Sequence, residues 1–241
     1  MQRNPRGAAM SAARTELSVA RRNRIARLAG LYAVTPDGAD TTLLVRNVEA
    51  AIAGGAAAIQ YRNKAAEAAL RRGQAGAIAR LPARRRALFI VNDDVAVAAD
   101  VDADGVHLGE DDGDIAAARE RIGADRVIGV SCYADFERAR AAVAAGADYV
   151  AFGSFFASST KPGARRADAQ LLRDARTLGV PVVAIGGITA GNAKALIDAG
   201  ASAVAVIAAV FAHDDPAAIT RAASAIAAAF TAEPPRPQPS R

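Results

Sequence analysis

From residue 30 onward, short apolar runs rich in β-branched residues alternate eight times with longer alanine-rich stretches. Such alternation is typical of parallel strands joined by helices that cover the sheet. Eight units in about 200 residues match a closed (β/α)₈ barrel better than an open doubly wound sheet, which more often has five or six strands. We therefore predict an α/β fold with a single (β/α)₈ TIM barrel. The predicted strands are residues 31–34, 58–61, 88–91, 105–108, 127–130, 149–152, 182–185 and 203–207.

The stretches between these runs have the periodicity of surface helices. Their apolar residues recur three and four positions apart among Ala, Leu, Arg and acidic residues, which is the pattern of a helix with one buried face. The clearest of them are residues 41–54, 113–122, 134–145, 168–178 and 190–199. Chemistry in a TIM barrel lies at the carboxyl ends of the strands. Polar residues that directly follow the apolar runs are therefore the candidate site residues.

Composition excludes several classes of protein. Of the 241 residues 52% are apolar, yet no apolar run approaches the roughly 18 residues of a membrane span. We therefore expect a soluble globular protein with no membrane partner. A single cysteine excludes an internal disulfide and favours a reducing, cytoplasmic location. With only two histidines besides that cysteine, the chain offers little for a zinc site.

The positive charge is concentrated at the amino terminus. The net charge is +5, but residues 1–28 contain seven arginines and one glutamate, and residues 29–230 are slightly acidic. We therefore expect no nucleic-acid partner. The segment 1–28 lacks the apolar core of a signal peptide; it could suit an organelle transit peptide, but we interpret it as a solvated extension with a short helix before Leu28. Residues 29–230 form the barrel, and the proline-rich segment 231–241 is expected to be a disordered tail.

Cationic residues follow the second predicted strand, in Gln60-Tyr61-Arg62-Asn63-Lys64. The chain has only three lysines against 27 arginines, and two of them, Lys64 and Lys161, follow predicted strands. A compact ammonium can approach a phosphate as a point charge, which is a reason to retain lysine there. The alternative is that Arg62 and Lys64 only solvate a loop.

Two acidic clusters follow the third and fourth strands. Asn92-Asp93-Asp94 and the segment from His107 to Asp112 should meet at one rim, where their carboxylates would repel one another without a cation. Mg²⁺ held by one or two carboxylates and by substrate phosphates would relieve this repulsion. Asp93 or Asp94 and Asp112 could instead cap helices. His107 is equally compatible with simple packing inside the barrel.

The fifth and sixth strands are followed by hydroxyl groups. Ser131 has no His–Asp pair near it in sequence, so we interpret it as a hydrogen-bond donor rather than a nucleophile, and Cys132 as inert. Residues 153–163 form a loop with Ser158, Ser159, Thr160 and Lys161, which suits an oxyanion or phosphate and the role of a lid. A solvated loop is the alternative.

Glycines follow the seventh strand, and small residues end the eighth. Gly186-Gly187 exposes backbone N–H groups, and TIM barrels frequently bind phosphate with the loops after strands 7 and 8, here near Ile207 and Ala208. A Gly-Gly pair alone could simply permit a turn. Together the rim predicts a diphosphate with its metal and a separate monophosphate. Alkyl transfer with loss of pyrophosphate is the natural reaction class.

These segments together resemble the thiamine-phosphate synthase family. The resemblance extends from about residue 30 to residue 211, and eight motifs occur in order, at residues 31–37, 60–64, 91–94, 104–109, 129–131, 148–153, 158–161 and 184–188. The family joins hydroxymethylpyrimidine diphosphate to a thiazole phosphate, preferably its carboxylated form, with magnesium and release of pyrophosphate. Its mechanism is dissociative: pyrophosphate leaves first, and the thiazole nitrogen captures the pyrimidine-methylene cation.

The resemblance implies roles for particular residues. It assigns catalysis to Lys64, Ser131 and Lys161, and Mg²⁺ to Asp93 and Asp112. Contacts to the pyrimidine diphosphate are implied for Gln60, Tyr61, Arg62, Asn63, Lys64, Asn92, Ser131 and Lys161. Contacts to the thiazole phosphate are implied for Ser158, Ser159, Thr160, Gly187, Ile207 and Ala208.

Some positions depart from the family pattern, and two other functions are compatible with a barrel of this kind. Ser158 replaces a common Thr, Ala208 a frequent Ser, Tyr133 a frequent His and Asn63 a common acid. A thiazole tautomerase-like or regulatory relative shares the barrel, but it typically has Gln at the position of His107. A phosphosugar isomerase would need an acid–base pair at the strand ends. The sequence leaves open whether the chain forms a homo-oligomer.

Overall fold

The structure is a computed structural model that describes residues 17–157, 166–213 and 215–231. Eight parallel strands pair in sequence order, and the last pairs with the first, so the sheet is a closed barrel. The predicted (β/α)₈ fold is confirmed, with strand ends within three residues of the predicted ones. The strands are β1 Gly30–Val34, β2 Ala56–Tyr61, β3 Leu88–Asn92, β4 Gly105–Leu108, β5 Val127–Tyr133, β6 Tyr149–Gly153, β7 Val182–Ile185 and β8 Ala203–Val206.

Helices lie between the strands and cover the outside of the barrel. Most begin at an aspartate whose carboxylate accepts hydrogen bonds from N–H groups of the first turn, which would otherwise lack a partner. The helices are α1 Val19–Ala26, α2 Thr41–Ala53, α3 Ala68–Ala79, α4 Val95–Asp100, α5 Ile115–Ile122, α6 Phe136–Ala144, α7 Ala169–Ala175, α8 Ala193–Asp198, α9 Ala208–Phe211 and α10 Pro216–Ala227, with 3₁₀ turns at Pro82–Arg86, Arg176–Leu178 and Ala228–Phe230. None of these helices is long and apolar enough to cross a bilayer.

Two apolar clusters form the core. The larger one lies between the sheet and the helices, and the smaller one fills the barrel itself. Tyr32 and Tyr149 are the largest residues inside the barrel, and their rings meet edge to face with centroids 6.2 Å apart. Gly129 pairs with Tyr149 across β5 and β6, and a Cβ at Gly129 would lie 1.9 Å from the Tyr149 ring. The glycine therefore makes room for the tyrosine inside the barrel.

Helix α1 contacts the barrel at the amino-terminal ends of its strands. Arg21 Nε donates to Asp148 at 2.7 Å, and Arg24 Nε donates to Asp104 at 2.9 Å. The Asp148 side chain is only 2% exposed, and Leu28 is buried in the inner cluster. The short helix expected before Leu28 is thus present, but in this part of the chain it packs against the barrel and is not merely solvated. Residues 1–16, and residues 232–241 of the predicted tail 231–241, lie outside the described residues.

Loss of the Arg21 guanidinium should destabilise the fold. Asp148 is also held by Arg119 at 2.7 Å and by the Ile128 N–H at 2.8 Å, so Arg21→Gln weakens a buried network without leaving the carboxylate unpaired. We expect a loss of about 2 kcal/mol in the free energy of unfolding, measured by urea denaturation. Arg140→Gln breaks an exposed pair with Glu137 and should change it very little. Equal effects of the two substitutions would contradict the role of α1.

Candidate active site

A cavity of about 860 Å³ opens at the carboxyl ends of the strands. Its floor is apolar and includes Val34, Ala151 and Val183, while polar side chains line one wall. Nine of the residues to which the family resemblance assigns a role line it, namely Gln60, Arg62, Lys64, Asn92, Asp93, Ser131, Gly187, Ile207 and Ala208. Residues far apart in sequence meet here because parallel strands end on the same rim.

Tyr61 and Asn63 do not face this cavity. The Tyr61 hydroxyl donates to Gln74 Oε1 at 2.8 Å, and Asn63 Nδ2 donates to the Gly38 carbonyl at 2.6 Å. The Tyr61 side chain points to the outside of the barrel because successive residues of a strand alternate between its faces, and Asn63, in the loop after β2, bonds on the same side. Their neighbours Gln60, Arg62 and Lys64 therefore reach the cavity. Ser158, Ser159, Thr160 and Lys161 lie outside the described residues.

The loop after β2 is held by two residues that follow β1. The Thr35 hydroxyl donates to the Arg62 carbonyl at 3.0 Å and accepts from the Arg62 N–H at 2.9 Å. Asp37 accepts from the Lys64 N–H at 2.7 Å and from Arg62 Nη1 at 3.2 Å. These bonds fix the backbone that carries both cationic side chains.

Two carboxyl groups and one ammonium meet after β2, β3 and β4. Lys64 Nζ lies 3.0 Å from Asp93 Oδ2, and the Asp112 carboxyl, which accepts from the Gly109 N–H at 2.7 Å, is close enough to Asp93 to interact with its carboxyl. Burial and the Asp112 carboxyl raise the pKa of Asp93, while the Lys64 ammonium lowers it. Gly109 allows this approach, because a Cβ there would lie 2.4 Å from Asp112 Oδ2.

The two helix caps in this region belong to other aspartates. Asp94 caps α4 by accepting from the Val97 N–H at 2.9 Å, and Asp114 caps α5 with bonds to the Ala116 and Ala117 N–H groups. Asp93 instead adopts a left-handed conformation with φ of 63°, which is uncommon outside glycine and aims its carboxylate at Lys64. Capping therefore does not account for Asp93.

Asp93 and Asp112 fit one side of a divalent-cation site. Two facing carboxylates are the hard oxygen ligands that Mg²⁺ prefers, and the cation commonly takes its other ligands from substrate phosphates and water. Across the part of the chain that the structure describes, His, Cys, Asp and Glu side chains form no cluster of three or more with metal-site geometry. The described carboxylates alone would thus provide an incomplete site, which a bound diphosphate would complete.

Ser131 lies on β5 itself, because this strand continues to Tyr133 instead of ending at residue 130 as the sequence predicted. Its Oγ is 2.9 Å from His107 Nε2, and His107 Nδ1 is 3.1 Å from the Tyr149 hydroxyl. Burial lowers the pKa of His107 to about 4, so the imidazole is neutral at physiological pH. Burial raises the pKa of the Cys132 thiol to about 12, so this cysteine is not a thiolate.

The opposite wall of the cavity consists of backbone from the loops after β7 and β8. Gly187 has φ of +64°, and a Cβ there would lie 2.5 Å from the Ala157 carbonyl oxygen. Ile207 and Ala208 line the same side, where β8 passes into α9. Gly187, Ile207 and Ala208 carry small or apolar side chains, so each offers only backbone polar groups to this wall, which Thr189 also lines.

Residues 31–210 match the family described as thiamine monophosphate synthase. The chain belongs to this family. A thiamine-phosphate synthase of Chromobacterium violaceum is 59% identical over 196 residues, which are 81% of this chain and 95% of that protein. Another, from Methylobacillus flagellatus, is 56% identical over 194 residues, covering 80% of this chain and 93% of the relative. The family predicted from the motifs, its thiamine-phosphate synthase function and its class of transferase are confirmed.

Solved structures agree with this membership in the thiamine monophosphate synthase family. The thiamine phosphate pyrophosphorylase of Pyrococcus furiosus superimposes with a TM-score of 0.74 at 36% identity, over 87% of this chain and 98% of that one. A protein of the same name from Bacteroides thetaiotaomicron is 16% identical with a TM-score of 0.64, and this likeness shows the fold alone.

Sequence reasoning missed several polar residues of this family member's site. Thr35 and Asp37 belong to the motif at residues 31–37, but nothing in the sequence indicates that they bind the loop after β2. Tyr32 and Tyr149 have the appearance of ordinary core residues in apolar runs. Their register inside the barrel places their hydroxyl groups 2.9 Å apart beneath the cavity.

Proposed function

We propose that the protein joins 4-amino-2-methyl-5-(diphosphooxymethyl)pyrimidine to thiazole phosphate or its carboxylated form, with release of pyrophosphate, to give thiamine phosphate. The observation that carries this proposal is the cluster of Arg62, Lys64 and Asp93 on one wall of the cavity, with the Asp112 carboxyl close behind Asp93. Cations and a carboxylate pair at one point suit a metal-bound diphosphate. The backbone wall at Gly187 and Ala208 suits a second, simpler phosphate.

The diphosphate would lie between the loops after β2 and β3. Arg62 and Lys64 neutralise its negative charge, and this charge increases on the leaving group as the bond from the pyrimidine methylene to oxygen breaks. Gln60 and Asn92 line the same wall and offer amide groups to the pyrimidine. From outside the described residues, Lys161 is proposed as a further cation for the leaving group.

Asp93 and Asp112 would hold Mg²⁺. The bound cation would neutralise the diphosphate and make pyrophosphate a better leaving group. Lys64 pairs with Asp93 at 3.0 Å. With the Asp93 carboxylate bound to the cation, the Lys64 ammonium would be available to contact the diphosphate. The carboxyl groups themselves transfer no proton in this scheme.

The thiazole phosphate would lie on the opposite wall. Gly187 and the backbone near Ile207 and Ala208 would bind its phosphate, with Ser158, Ser159 and Thr160 proposed as hydroxyl donors. This arrangement presents the thiazole nitrogen to the pyrimidine methylene. The electron pair of the broken carbon–oxygen bond leaves first with pyrophosphate, and the nitrogen lone pair then captures the pyrimidine-methylene cation to form the new carbon–nitrogen bond.

The environment of the candidate nucleophiles supports a reaction without a covalent enzyme intermediate. Ser131 contacts His107, but the other nitrogen of that imidazole meets the Tyr149 hydroxyl and not a carboxylate. The arrangement therefore lacks the acid that orients a Ser–His–Asp triad. Cys132 is buried and protonated. A dissociative mechanism, in which pyrophosphate leaves before the thiazole nitrogen attacks, requires neither side chain as a nucleophile.

Product formation tests the proposal. Purified protein is mixed with the pyrimidine diphosphate, the carboxylated thiazole phosphate and Mg²⁺, and thiamine phosphate and pyrophosphate are followed by chromatography. We expect both products in equal amounts, and their loss with a chelator. Conversion of the carboxylated thiazole to its aromatic isomer without coupling would instead assign the chain to the tautomerase branch. Calorimetric titration of Mg²⁺ with and without pyrophosphate tests the metal site independently of turnover.

A cytoplasmic location stays a prediction from the sequence, and the sequence leaves the oligomeric state open. Size-exclusion chromatography with light scattering would measure the second directly. Small-molecule substrates are the partners that membership in this family supports.

A further inference from the structure

Five polar side chains form an unbroken hydrogen-bonded chain through the barrel beneath the cavity. Gln60 Nε2 donates to the Tyr32 hydroxyl at 3.0 Å, and the Tyr32 and Tyr149 hydroxyls are 2.9 Å apart. The Tyr149 hydroxyl is 3.1 Å from His107 Nδ1, and His107 Nε2 is 2.9 Å from Ser131 Oγ. Gln60 and Ser131, at the two ends of the chain, line the cavity, and Tyr32 and His107 between them also line it.

With Gln60 as a donor at one end, only one direction of the bonds gives every hydroxyl proton in this chain an acceptor. An amide nitrogen can only donate, so the Tyr32 oxygen accepts from Gln60 and its proton is free for Tyr149. In that direction Tyr149 accepts from Tyr32 and donates its own proton to His107 Nδ1, 3.1 Å away. A neutral imidazole carries one proton, which must then be on Nε2.

The last link concerns Ser131. With the proton on Nε2, the Ser131 oxygen accepts from His107, and its own hydroxyl proton is available to a ligand in the cavity that Ser131 lines. A diphosphate has only acceptor oxygens and requires such a donor. The opposite direction would have Ser131 donate to the imidazole and present only lone pairs to the ligand.

We propose that Tyr32, Tyr149 and His107 are positioning residues that hold His107 as the Nε2–H tautomer and thereby make Ser131 a hydrogen-bond donor to the departing diphosphate. The inference rests on the proposed function for the identity of that ligand. Packing supports a fixed geometry: Tyr32 and Tyr149 are 2% and 0% exposed, and the His107 and Tyr149 rings lie 5.6 Å apart. Gly129 leaves the space that Tyr149 occupies.

The tautomer can be measured without substrate. The chain contains two histidines, so protein labelled with ¹⁵N-histidine gives two imidazole spin systems, and His213→Asn assigns them. His213 is exposed and lies after α9, away from the chain of hydrogen bonds. We expect a protonated Nε2 and an unprotonated Nδ1 for His107 near neutral pH. A protonated Nδ1 would overturn the inference even if the protein makes thiamine phosphate.

Kinetics test whether the tyrosines act through Ser131. Tyr149→Phe should lower kcat about tenfold with KM for the diphosphate changed less than about twofold, because one aligned donor is lost in the transition state. In a Ser131→Ala background the same substitution should change kcat less than about twofold, since its target is gone. A tenfold loss in both backgrounds would show that Tyr149 does not act through Ser131.

A loss of stability alone must be distinguished from this effect. Thr220→Val removes a hydroxyl bond to the Ala50 carbonyl on the outside of the barrel, 3.0 Å long, and is the matched control for thermal stability. It should leave kcat and the His107 tautomer unchanged. If Tyr149→Phe lowered kcat no more than Thr220→Val does, the positioning role would be excluded.

Discussion

Asp93→Asn should lower kcat by about 100-fold or more at saturating Mg²⁺ and raise the Mg²⁺ concentration needed for half-maximal rate. The substitution keeps the size of the side chain but removes one negative charge from the pair with Asp112 and removes the partner of Lys64. An amide oxygen is a weaker ligand for a hard cation than a carboxylate. Steady-state rates over a Mg²⁺ titration measure both effects.

Asp94→Asn is the matched control for this experiment. It is the same chemical change one residue along, but Asp94 caps α4, and asparagine caps helices about as well as aspartate does. We expect its Mg²⁺ dependence to stay that of the unmodified protein. If Asp93→Asn kept an unchanged Mg²⁺ dependence, Asp93 would not be a metal ligand.

Lys64→Ala is expected to slow the departure of pyrophosphate by about 100-fold, measured as a single-turnover rate with excess enzyme. The Lys64 ammonium lies 3.0 Å from Asp93 at the edge of the cavity, so its removal leaves less positive charge where the diphosphate would lie. Lys64→Arg should restore little, because a planar guanidinium cannot occupy the position of a compact ammonium. The KM for the thiazole phosphate should change much less.

Lys194→Ala provides the control for lost charge. This lysine pairs with Asp198 on α8, outside the barrel, and is one of only three in the chain. Its substitution should leave the single-turnover rate unchanged. A rate for Lys64→Ala equal to that of Lys194→Ala would show that Lys64 does not contact the leaving group.

The positions of the strands could be predicted because the signal is local. An apolar β-branched run between turn residues identifies a buried parallel strand, and eight of them in order identify the barrel. β5 is the largest departure, since the sequence predicts its end at residue 130 and pairing with β6 extends it to Tyr133 with a shift in register. Pairing with a neighbouring strand is not a property of the local sequence.

The candidate site was predictable only at the level of segments. Alternation along a strand separates Gln60 from Tyr61, but the sequence did not show which of them faces inward. In the same way, the sequence does not show which of Asp93 and Asp94 caps α4, because the two aspartates have equal propensities for the N-cap position. The backbone conformation of Asp93, with φ of 63°, separates their roles.

By itself the sequence determined the class of fold, the family and the rim on which chemistry takes place, because these follow from periodicity and from motifs contiguous in the chain. Tertiary structure alone decided which side chains meet. Tyr32 and Tyr149 are 117 residues apart, and their hydroxyl groups come into contact only because the barrel closes and Gly129 leaves space inside it. Hydrogen bonds act over about 3 Å, so they depend on a register and packing that only the closed barrel defines.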